Sequence, residues 1–517
     1  MNLLDLKLIF LDLQTTGASP ATGAPLEVAW ALASARDSEP RYTQKFVLKQ
    51  PDNQPVPKRI QALTGITDGD MEHAVKWRDA NAILHLALGQ AELSGFVIHY
   101  AQFEKPFLRS LLKNFDDQYS LACTHQIATR IFPNLPSRGI RGLAGYFGFP
   151  LEECKRADTH VTATFAIWKH LCELLGQQEI TTWDELQNWL ATSPKAKRTK
   201  YEYPLERGIR LAMPDCPGIY KMLSCKGDVL YVGKATSLKD RVNSYFRGKK
   251  NRDPKKLEML TQAWDIKVET CATVLEACLL EVKEIKRLSP PYNIALKTGV
   301  KPLLFYSNDF TSCSIKQDEQ HTIGPFRNEF VLDSFVRFVH SLRTGEWDQL
   351  MFFDEIEPQL IGEGFELFLT ATAQTRETLL NPRSALALGA WFYRQYRREQ
   401  AATEDEDEIE EADVAEDEAE EERPPTPGEV AVKFAKLLRR AAHAYLLSRR
   451  LTRLLNARVT FTESGVQRTL AFDNTVEKGI FPWENADIET FDVLRVLHTE
   501  LNRLKKNGEQ VAIAEAS

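Results

Sequence analysis

The stretch PDCPGIYKMLSCKGDVLYVGKATSLKDRVNSYFRG, residues 214–248, contains the tripeptides Gly-Ile-Tyr and Tyr-Val-Gly, whose tyrosines lie eleven positions apart. Each tripeptide falls within a β-rich run, and the Lys-Gly-Asp sequence at 226–228 predicts a tight turn between the two runs. This pattern predicts a β-hairpin with Tyr220 and Tyr231 on paired strands. The hairpin marks the start of a small α/β unit.

The residues after the hairpin add charged and polar side chains in a definite order. Lys234 follows the second tripeptide directly, and Arg241 lies in the helix predicted next. Glu281 lies on an apolar helix predicted at 274–287, and Asn293 follows two prolines and a tyrosine. We treat these four residues and the two tyrosines as one candidate site.

These residue types suit hydrolysis of a phosphodiester, which needs an activated water, neutralised phosphorane charge and a stabilised leaving oxygen. One carboxylate can hold hydrated Mg²⁺ or Mn²⁺, because magnesium tolerates a single protein ligand plus waters. The arginine fork suits phosphate. A tyrosine beside Lys or Arg can have a lowered pKa and take a proton from water.

The hairpin stretch, together with LEACLLEVKEIKRLSPPYN at 275–293, resembles the GIY-YIG nuclease domain of the bacterial excinuclease UvrC and its short homologue Cho. The resemblance covers roughly 206–297. It implies metal-dependent incision of one DNA strand in nucleotide excision repair, on the 3′ side as in Cho. It also implies the following roles: Glu281 binds the metal, Tyr231 or else Tyr220 is the general base, Lys234 and Arg241 contact phosphate or position the base, and Asn293 orders the end of the site.

The N-terminal part has a different pattern, an α/β alternation over about 1–175. LIFLDLQTTG at 8–17, LTGIT at 63–67, VIHYAQFEKPFL at 97–108 and the segment 121–151 together resemble DnaQ-like (DEDD) 3′–5′ exonucleases. This resemblance implies an RNase H-like fold. The fold class is therefore predicted as α/β multidomain, with an exonuclease fold, a small GIY-YIG domain and mostly helical C-terminal parts.

The exonuclease-like motifs depart from their family at most functional positions. Two-metal hydrolysis needs carboxylates around two cations and a general base. Alignment of the motifs shows one identity, one conservative change and three replacements: Asp12 is kept, Glu104 replaces an Asp, and Gln14, Lys155 and His160 replace a Glu, a His and an Asp. We expect a weak or inactive site, although Asp158 or His160 are alternative ligands from a neighbouring turn. His99 is expected to be a core histidine.

The predicted division of the chain has six parts. They are the exonuclease-fold domain (1–175), a linker or linking helix (176–205), the GIY-YIG domain (206–297), an accessory region similar to that of Cho (298–400), an acidic disordered linker (401–428) and a C-terminal helical and hairpin domain (429–517). A basic helix at 433–459 is either a contact for DNA or a partner, or an ordinary amphipathic helix that covers the terminal hairpin.

Composition limits the partners and the compartment. The 517 residues carry a net charge of −7, but 404–422 holds 14 acids, and without that run the remainder is +7, which permits an anionic partner such as lesion-bearing duplex DNA. No apolar run is long enough for a membrane span, and the N-terminus lacks signal-peptide features. Eight scattered cysteines without CxxC fit a reducing cytoplasm, and we expect no iron–sulfur cluster.

Three functions fit these observations. The first is an endonuclease of the UvrC/Cho type, with UvrA and UvrB as possible delivery partners. The second is a dual nuclease whose 3′–5′ exonuclease also works. The third is a DNA-repair adaptor with both sites dormant. The complete hairpin set favours the first.

Overall fold

A computed structural model of the chain describes residues 2–51, 54–89, 95–112, 115–149, 155–192, 200–247, 253–293, 302–327, 330–347, 353, 356–400, 425–471, 483 and 486–515. The acidic run at 404–422 lies outside these residues. The described part forms four separate sheets and many helices, which is the predicted α/β multidomain class.

The first unit is a five-stranded sheet with helices on both faces. Its strands are β1 (Leu8–Thr15), β2 (Pro25–Ala33), β3 (Arg41–Val47), β4 (Gly95–Ile98) and β5 (Leu121–Cys123). The spatial order is β3-β2-β1-β4-β5, in which β1 pairs with β4 and β4 with β5 in parallel and the other pairs are antiparallel. The helices are α1 (Lys58–Thr64), α2 (Asp68–Met71), α3 (Trp77–Gly89), α4 (Ala101–Leu111), α5 (Phe115–Gln118), α6 (Thr124–Ile131), α7 (Ile140–Tyr146), α8 (Ala157–Gly176) and α9 (Trp183–Ala191).

Alternation along β1 decides which of its side chains face α8. Leu8 and Phe10 belong to the buried cluster that contains the apolar side chains of α8. Ile9 and Leu11 belong to a second cluster on the opposite face, with residues of α3 and α4. Because successive strand residues alternate between faces, Asp12 continues the row that faces α8.

Helix α9 lies inside the segment 176–205, which was predicted as a linker or linking helix. Its Leu186 is fully buried in the first unit's core, and Trp183 and Trp189 pack against the same cluster. The Leu3 amide also donates to the Thr181 carbonyl at 2.7 Å. The first unit therefore extends beyond the predicted boundary at 175, because a few apolar side chains in a polar segment all face one core.

The second unit is built around the predicted hairpin. Its strands are β6 (Gly218–Leu223), β7 (Val229–Ala235) and β8 (Asp265–Thr270), in the antiparallel order β7-β6-β8. Its helices are α10 (Arg207–Leu211), α11 (Leu238–Ser244), α12 (Pro254–Gln262) and α13 (Val274–Leu288). Helix α13 begins in a capping box in which Thr273 and Glu276 satisfy each other's backbone amides, and it packs on β6 and β7.

The remaining chain is mostly helical, as predicted. Its elements are β9 (Leu303–Tyr306), β10 (Cys313–Ser314), β11 (Ile323–Arg327), α14 (Phe330–Thr344), α15 (Pro358–Thr372), α16 (Arg376–Leu379), α17 (Pro382–Gln400), α18 (Pro427–Leu455), β12 (Ala457–Glu463), β13 (Val466–Ala471), α19 (Ile488–Lys506) and β14 (Val511–Glu515). The predicted terminal hairpin is formed by β12 and β13, which turn at Ser464–Gly465, and β14 adds a third strand on the other side of β12.

Helix α18 joins two regions that the sequence divided at 400 and 429. Phe434 lies in the core formed with α14, α15 and α17, whereas Leu451 lies in the core formed with β12 and α19. Its Arg439 is buried and stacks 3.7 Å from the centroid of the Tyr396 ring. The apolar side of the predicted basic helix is thus core. Among the described helices, none has the length and apolar character of a membrane span.

The second unit lies between its two neighbours. Helix α7 of the first unit packs so closely on α12 that a Cβ on Gly145 would lie 1.7 Å from Gln262 Oε1. The Arg141 guanidinium also stacks 4.9 Å from the centroid of the Tyr292 ring. On the other side, α19 packs along α13.

Candidate functional site

The second unit brings together the side chains that the sequence proposed for phosphodiester chemistry. They project from β6, β7, α11, α13 and the segment after α13, and we call them the hairpin site: Tyr220, Tyr231, Lys234, Arg241, Glu281 and Asn293.

The two tyrosines of the hairpin site are neighbours, with ring centroids 6.1 Å apart. Tyr220 is fully buried, and its hydroxyl lies 2.7 Å from the hydroxyl of Tyr245. Gly233 makes this arrangement possible, because a Cβ there would lie 2.4 Å from Tyr220 Oη and 2.8 Å from Tyr231 Cε1. Any larger residue at 233 would displace both rings.

Burial, and not the nearby positive charge, has the largest effect on the pKa values of the two tyrosine hydroxyls. Burial raises the pKa of Tyr220 and of Tyr231, and the nearby Tyr245 raises both further. The positive charge of Arg241 lowers both pKa values but does not outweigh burial. The lowering that a nearby cation can produce is therefore smaller here than the effect of burial.

Glu281 is tied to the backbone of the second tripeptide strand. The Lys234 amide donates to Glu281 Oε1 at 2.8 Å, which fixes α13 against the end of β7. Burial raises the pKa of the Glu281 carboxyl, and the positive charges of Lys234 and Arg241 oppose this effect. Arg241 stacks 5.6 Å from the centroid of the Tyr245 ring, and it carries its charge beside the tyrosine group.

Asn293 closes the site through the backbone of Val232. Its Oδ1 accepts from the Val232 amide at 2.9 Å, and its Nδ2 donates to the Val232 carbonyl, also at 2.9 Å. Val232 lies between Tyr231 and Gly233, so the buried amide of Asn293 holds the strand segment that carries the base candidate. This contact is that of a positioning residue.

A second group of polar side chains meets in the first unit, and we call it the N-terminal site: Asp12, Gln14, Glu104 and His160. The imidazole of His160 at the start of α8 has its Nδ1 3.1 Å from Asp12 Oδ1. Gln14 Nε2 donates to Asp12 Oδ2 at 3.0 Å and lies 3.3 Å from His160 Nδ1. Both carboxylate oxygens of Asp12 thus already have protein partners.

Glu104 is the most enclosed member of the N-terminal site. It is 3% exposed, and its Oε2 lacks a hydrogen-bond partner among the described residues. Burial and the Asp12 carboxylate raise the pKa of the Glu104 carboxyl. His99 is buried nearby with its Nδ1 2.8 Å from Thr124 Oγ1, and burial lowers the pKa of its imidazole to about 3.

Two further residues proposed for this site lie elsewhere. Lys155 is exposed beside Gly65, where a Cβ would lie 3.7 Å from the lysine Cδ. Asp158, proposed as an alternative ligand, accepts from Lys45 Nζ at 2.6 Å and points toward β3. Of the two alternatives, His160 joins Asp12 and Asp158 does not.

Comparison with known proteins identifies the hairpin unit. The family model of the UvrC-like GIY-YIG domain matches residues 216–294. This segment is a UvrC-like GIY-YIG domain. A UvrABC system protein C of Nitrosococcus oceani is 43% identical over 119 residues, which cover 22% of this chain and 20% of that protein. The GIY-YIG N-terminal endonuclease domain of UvrC from Thermotoga maritima, solved with magnesium, is 29% identical, with 17% of this chain and all of that chain covered and a TM-score of 0.16.

A longer relative spans both units. A Mycobacterium tuberculosis protein named as a candidate bifunctional exonuclease/endonuclease is 29% identical over 340 residues, which cover 63% of this chain and 51% of that protein. The chain thus spans about half the length of this relative. Together with the strand order of the first sheet, the match supports a fusion of an RNase H-like exonuclease-fold domain with the GIY-YIG domain.

The two sites differ in their fit to a metal. Among the described residues, no three His, Cys, Asp or Glu side chains are arranged to hold a metal ion. In the N-terminal site an amide and an imidazole bond to Asp12 where two cations would need further carboxylates, so this donor set does not fit a two-cation centre. The GIY-YIG domain offers a single carboxylate, Glu281, and that donor set fits a magnesium ion that keeps most of its waters.

Sequence reasoning missed residues that touch the site. The Tyr245 hydroxyl lies within hydrogen-bonding distance of the Tyr220 hydroxyl. Tyr245 follows α11 directly, one turn after Arg241, and this spacing could have pointed to it. Cys278 lies one turn before Glu281 on α13, and its thiol lies 3.2 Å from Lys234 Nζ. Glu500 of α19 approaches the same ammonium, and nothing in the local sequence pointed to it.

Proposed function

We propose that this chain is a metal-dependent endonuclease of the UvrC/Cho type that nicks one DNA strand near a lesion, on the 3′ side, in nucleotide excision repair. Duplex DNA with a lesion is the substrate, and UvrA and UvrB are the partners that deliver it. The observation that carries the proposal is the meeting of two tyrosines, two cations and one carboxylate around the Gly233 backbone.

The residues divide the chemistry as follows. Glu281 would hold Mg²⁺ or Mn²⁺, which when bound supplies charge neutralisation and a stabilised leaving oxygen. Tyr231 is half-buried beside Arg241 and would accept the proton of the attacking water. Arg241 and Lys234 would donate to the phosphate oxygens. Asn293 would keep Tyr231 in place through Val232.

The N-terminal site supports a weak or inactive exonuclease. The imidazole and amide that contact Asp12 occupy positions where the exonuclease family carries acidic ligands. Burial and the neighbouring Asp12 carboxylate raise the pKa of Glu104 and so favour its neutral form, which is a poor cation ligand. The first unit then serves the chain through its fold and its contact with the GIY-YIG domain.

The test is incision of a 5′-labelled duplex that carries one bulky lesion, with Mg²⁺ and with or without UvrA and UvrB, read at nucleotide resolution. We expect one discrete fragment that ends just 3′ of the lesion. Glu281→Gln keeps the size of the side chain and should reduce this product by about a thousandfold. Asp265→Asn, on β8 of the same domain, is the matched control and should nick normally.

Each other result changes the proposal in a stated way. Full incision by Glu281→Gln would show that the chemistry lies elsewhere. A ladder that shortens from the 3′ end would reveal a working exonuclease and favour the dual nuclease. DNA binding without any cleavage under all metal and partner conditions would favour the adaptor.

A further inference from the structure

The C-terminal part of the chain touches the GIY-YIG domain along the whole of α13. Near the end of α13, the buried Lys286 Nζ donates to Asp492 Oδ2 of α19 at 2.7 Å. At its beginning, the Leu275 amide donates to Glu463 Oε2 at 3.1 Å, and Arg468 Nε donates to Glu276 Oε1 at 2.9 Å. The first contact fixes the register of α19 beside α13, and the other two tie the hairpin of β12 and β13 to the beginning of α13.

In that register Glu500 lies next to the candidate phosphate-binding lysine. Glu500 Oε1 is 3.4 Å from Lys234 Nζ, and the same ammonium donates to Cys278 Sγ at 3.2 Å. The Glu500 side chain is 8% exposed, so it is not an ordinary surface charge. Its position follows from the fold, because more than 260 residues separate it from Lys234 along the chain.

Glu500 is itself fixed by a second cation. Arg503 Nε donates to Glu500 Oε2 at 2.6 Å, and the same guanidinium reaches Glu463 at the end of β12. Burial raises the pKa of the Glu500 carboxyl, but the hydrogen bond from Arg503 and the charge of Lys234 outweigh it, and the pKa lies below its usual value. Glu500 is thus a charged and oriented acceptor.

We propose that Glu500 is a positioning residue of the endonuclease, which holds the Lys234 ammonium at the hairpin site. This inference rests on the proposed function. A lysine ammonium has three N–H donors on a flexible four-carbon stem. Cys278 and Glu500 take two of them, which leaves the third for a phosphate oxygen of DNA. The C-terminal region therefore adds a second acceptor to a lysine that the GIY-YIG domain holds through Cys278.

The test compares Glu500→Gln with wild type in the full chain, in single-turnover nicking of the labelled lesion duplex under the conditions above. We expect the rate at saturating DNA to fall by about ten- to a hundredfold, while the half-saturating DNA concentration changes little. Glu500→Asp keeps the charge and should recover part of the rate. Glu489→Gln, at an exposed position of α19, is the matched control.

A double-mutant cycle separates positioning from a purely structural role. If Glu500 acts through Lys234, then Glu500→Gln in a Lys234→Ala background should add no further loss. An equal loss in both backgrounds would overturn the proposal, and so would an unchanged rate for Glu500→Gln alone. Faster nicking by Glu500→Gln would also overturn it, because Glu500 would then restrain Lys234 from DNA.

The outcome for the proposed function is read separately. If Glu281→Gln still nicks, the endonuclease assignment fails and the role of Glu500 fails with it. If Glu281→Gln is inactive and Glu500→Gln is normal, only the role of Glu500 fails. Thermal unfolding of each variant identifies any loss that comes from a destabilised chain.

Discussion

In the hairpin site two cations, Lys234 and Arg241, accompany one carboxylate, Glu281. In the N-terminal site two carboxylates, Asp12 and Glu104, accompany one imidazole and one neutral amide. The first site has formal positive charge that can bind a phosphate. In the second site, Asp12 already contacts Gln14 and His160.

This difference lies in the side chains and not in the fold that carries them. In the first unit the strands and α8 still bring the motif positions together, as the contact between Asp12 and His160 shows. The side chains differ from the family's pattern, since Gln14 and His160 contact Asp12 where that pattern has acids. Under the proposed function, fold and activity separate in this chain, because packing places the positions and residue type decides the reaction.

The largest effect should come from Tyr231, the proposed general base. Tyr231→Phe removes the candidate base and should lower single-turnover nicking by about 10²–10⁴-fold. Tyr220→Phe removes a buried hydroxyl that bonds to Tyr245, which should cost about 1 kcal/mol of unfolding free energy and at most about tenfold in rate. Nicking rates and thermal unfolding of both variants check this order. The reverse order would assign the base to Tyr220.

Much of the fold was readable from local patterns. The hairpin and α13 lie within a few residues of their predicted positions, because turn residues and apolar periodicity determine such elements locally. The hairpin site itself followed from spacing within one compact domain. The raised pKa values of the tyrosines could not be predicted, because burial among aromatic rings depends on packing that spacing does not reveal.

Contacts between distant segments were not readable. Helix α9 lies in the segment predicted as a linker or linking helix. Its few apolar side chains indicate a domain only once they are seen to face the first core. Glu500 resembles any acid on an amphipathic helix, and only the docking of α19 on α13 brings it to Lys234. Likewise, the sequence of α18 indicates only a separate basic helix. The structure shows that its first half is buried in one core and its second half in another.

A smaller effect, on the pH dependence of stability, should come from His99, which is buried near the N-terminal site. The pKa of His99 is lowered by burial to about 3 in the folded chain against an ordinary 6.5, so the unfolded chain takes up the proton first as pH falls. Stability should therefore decrease from about pH 7 downward, by about 2 kcal/mol at pH 5 from this residue. His99→Gln should flatten the difference in unfolding free energy between pH 7 and pH 5. Equal slopes in both proteins would contradict the neutral buried histidine.

The smallest effect should come from Asp12→Asn, which keeps the size of the side chain and removes the one fully retained exonuclease acid. If the N-terminal site is inert, lesion nicking should stay within about twofold of wild type, because this site and the hairpin site belong to separate cores. DNA affinity and any trimming from the 3′ end should also be unchanged. Asp158→Asn, on α8 but paired with Lys45, is the matched control. If wild type produced a ladder from the 3′ end and Asp12→Asn alone lost it, Asp12, Glu104 and His160 would still support hydrolysis. A fall in nicking larger than the fall in DNA binding would mean that the first unit takes part in incision.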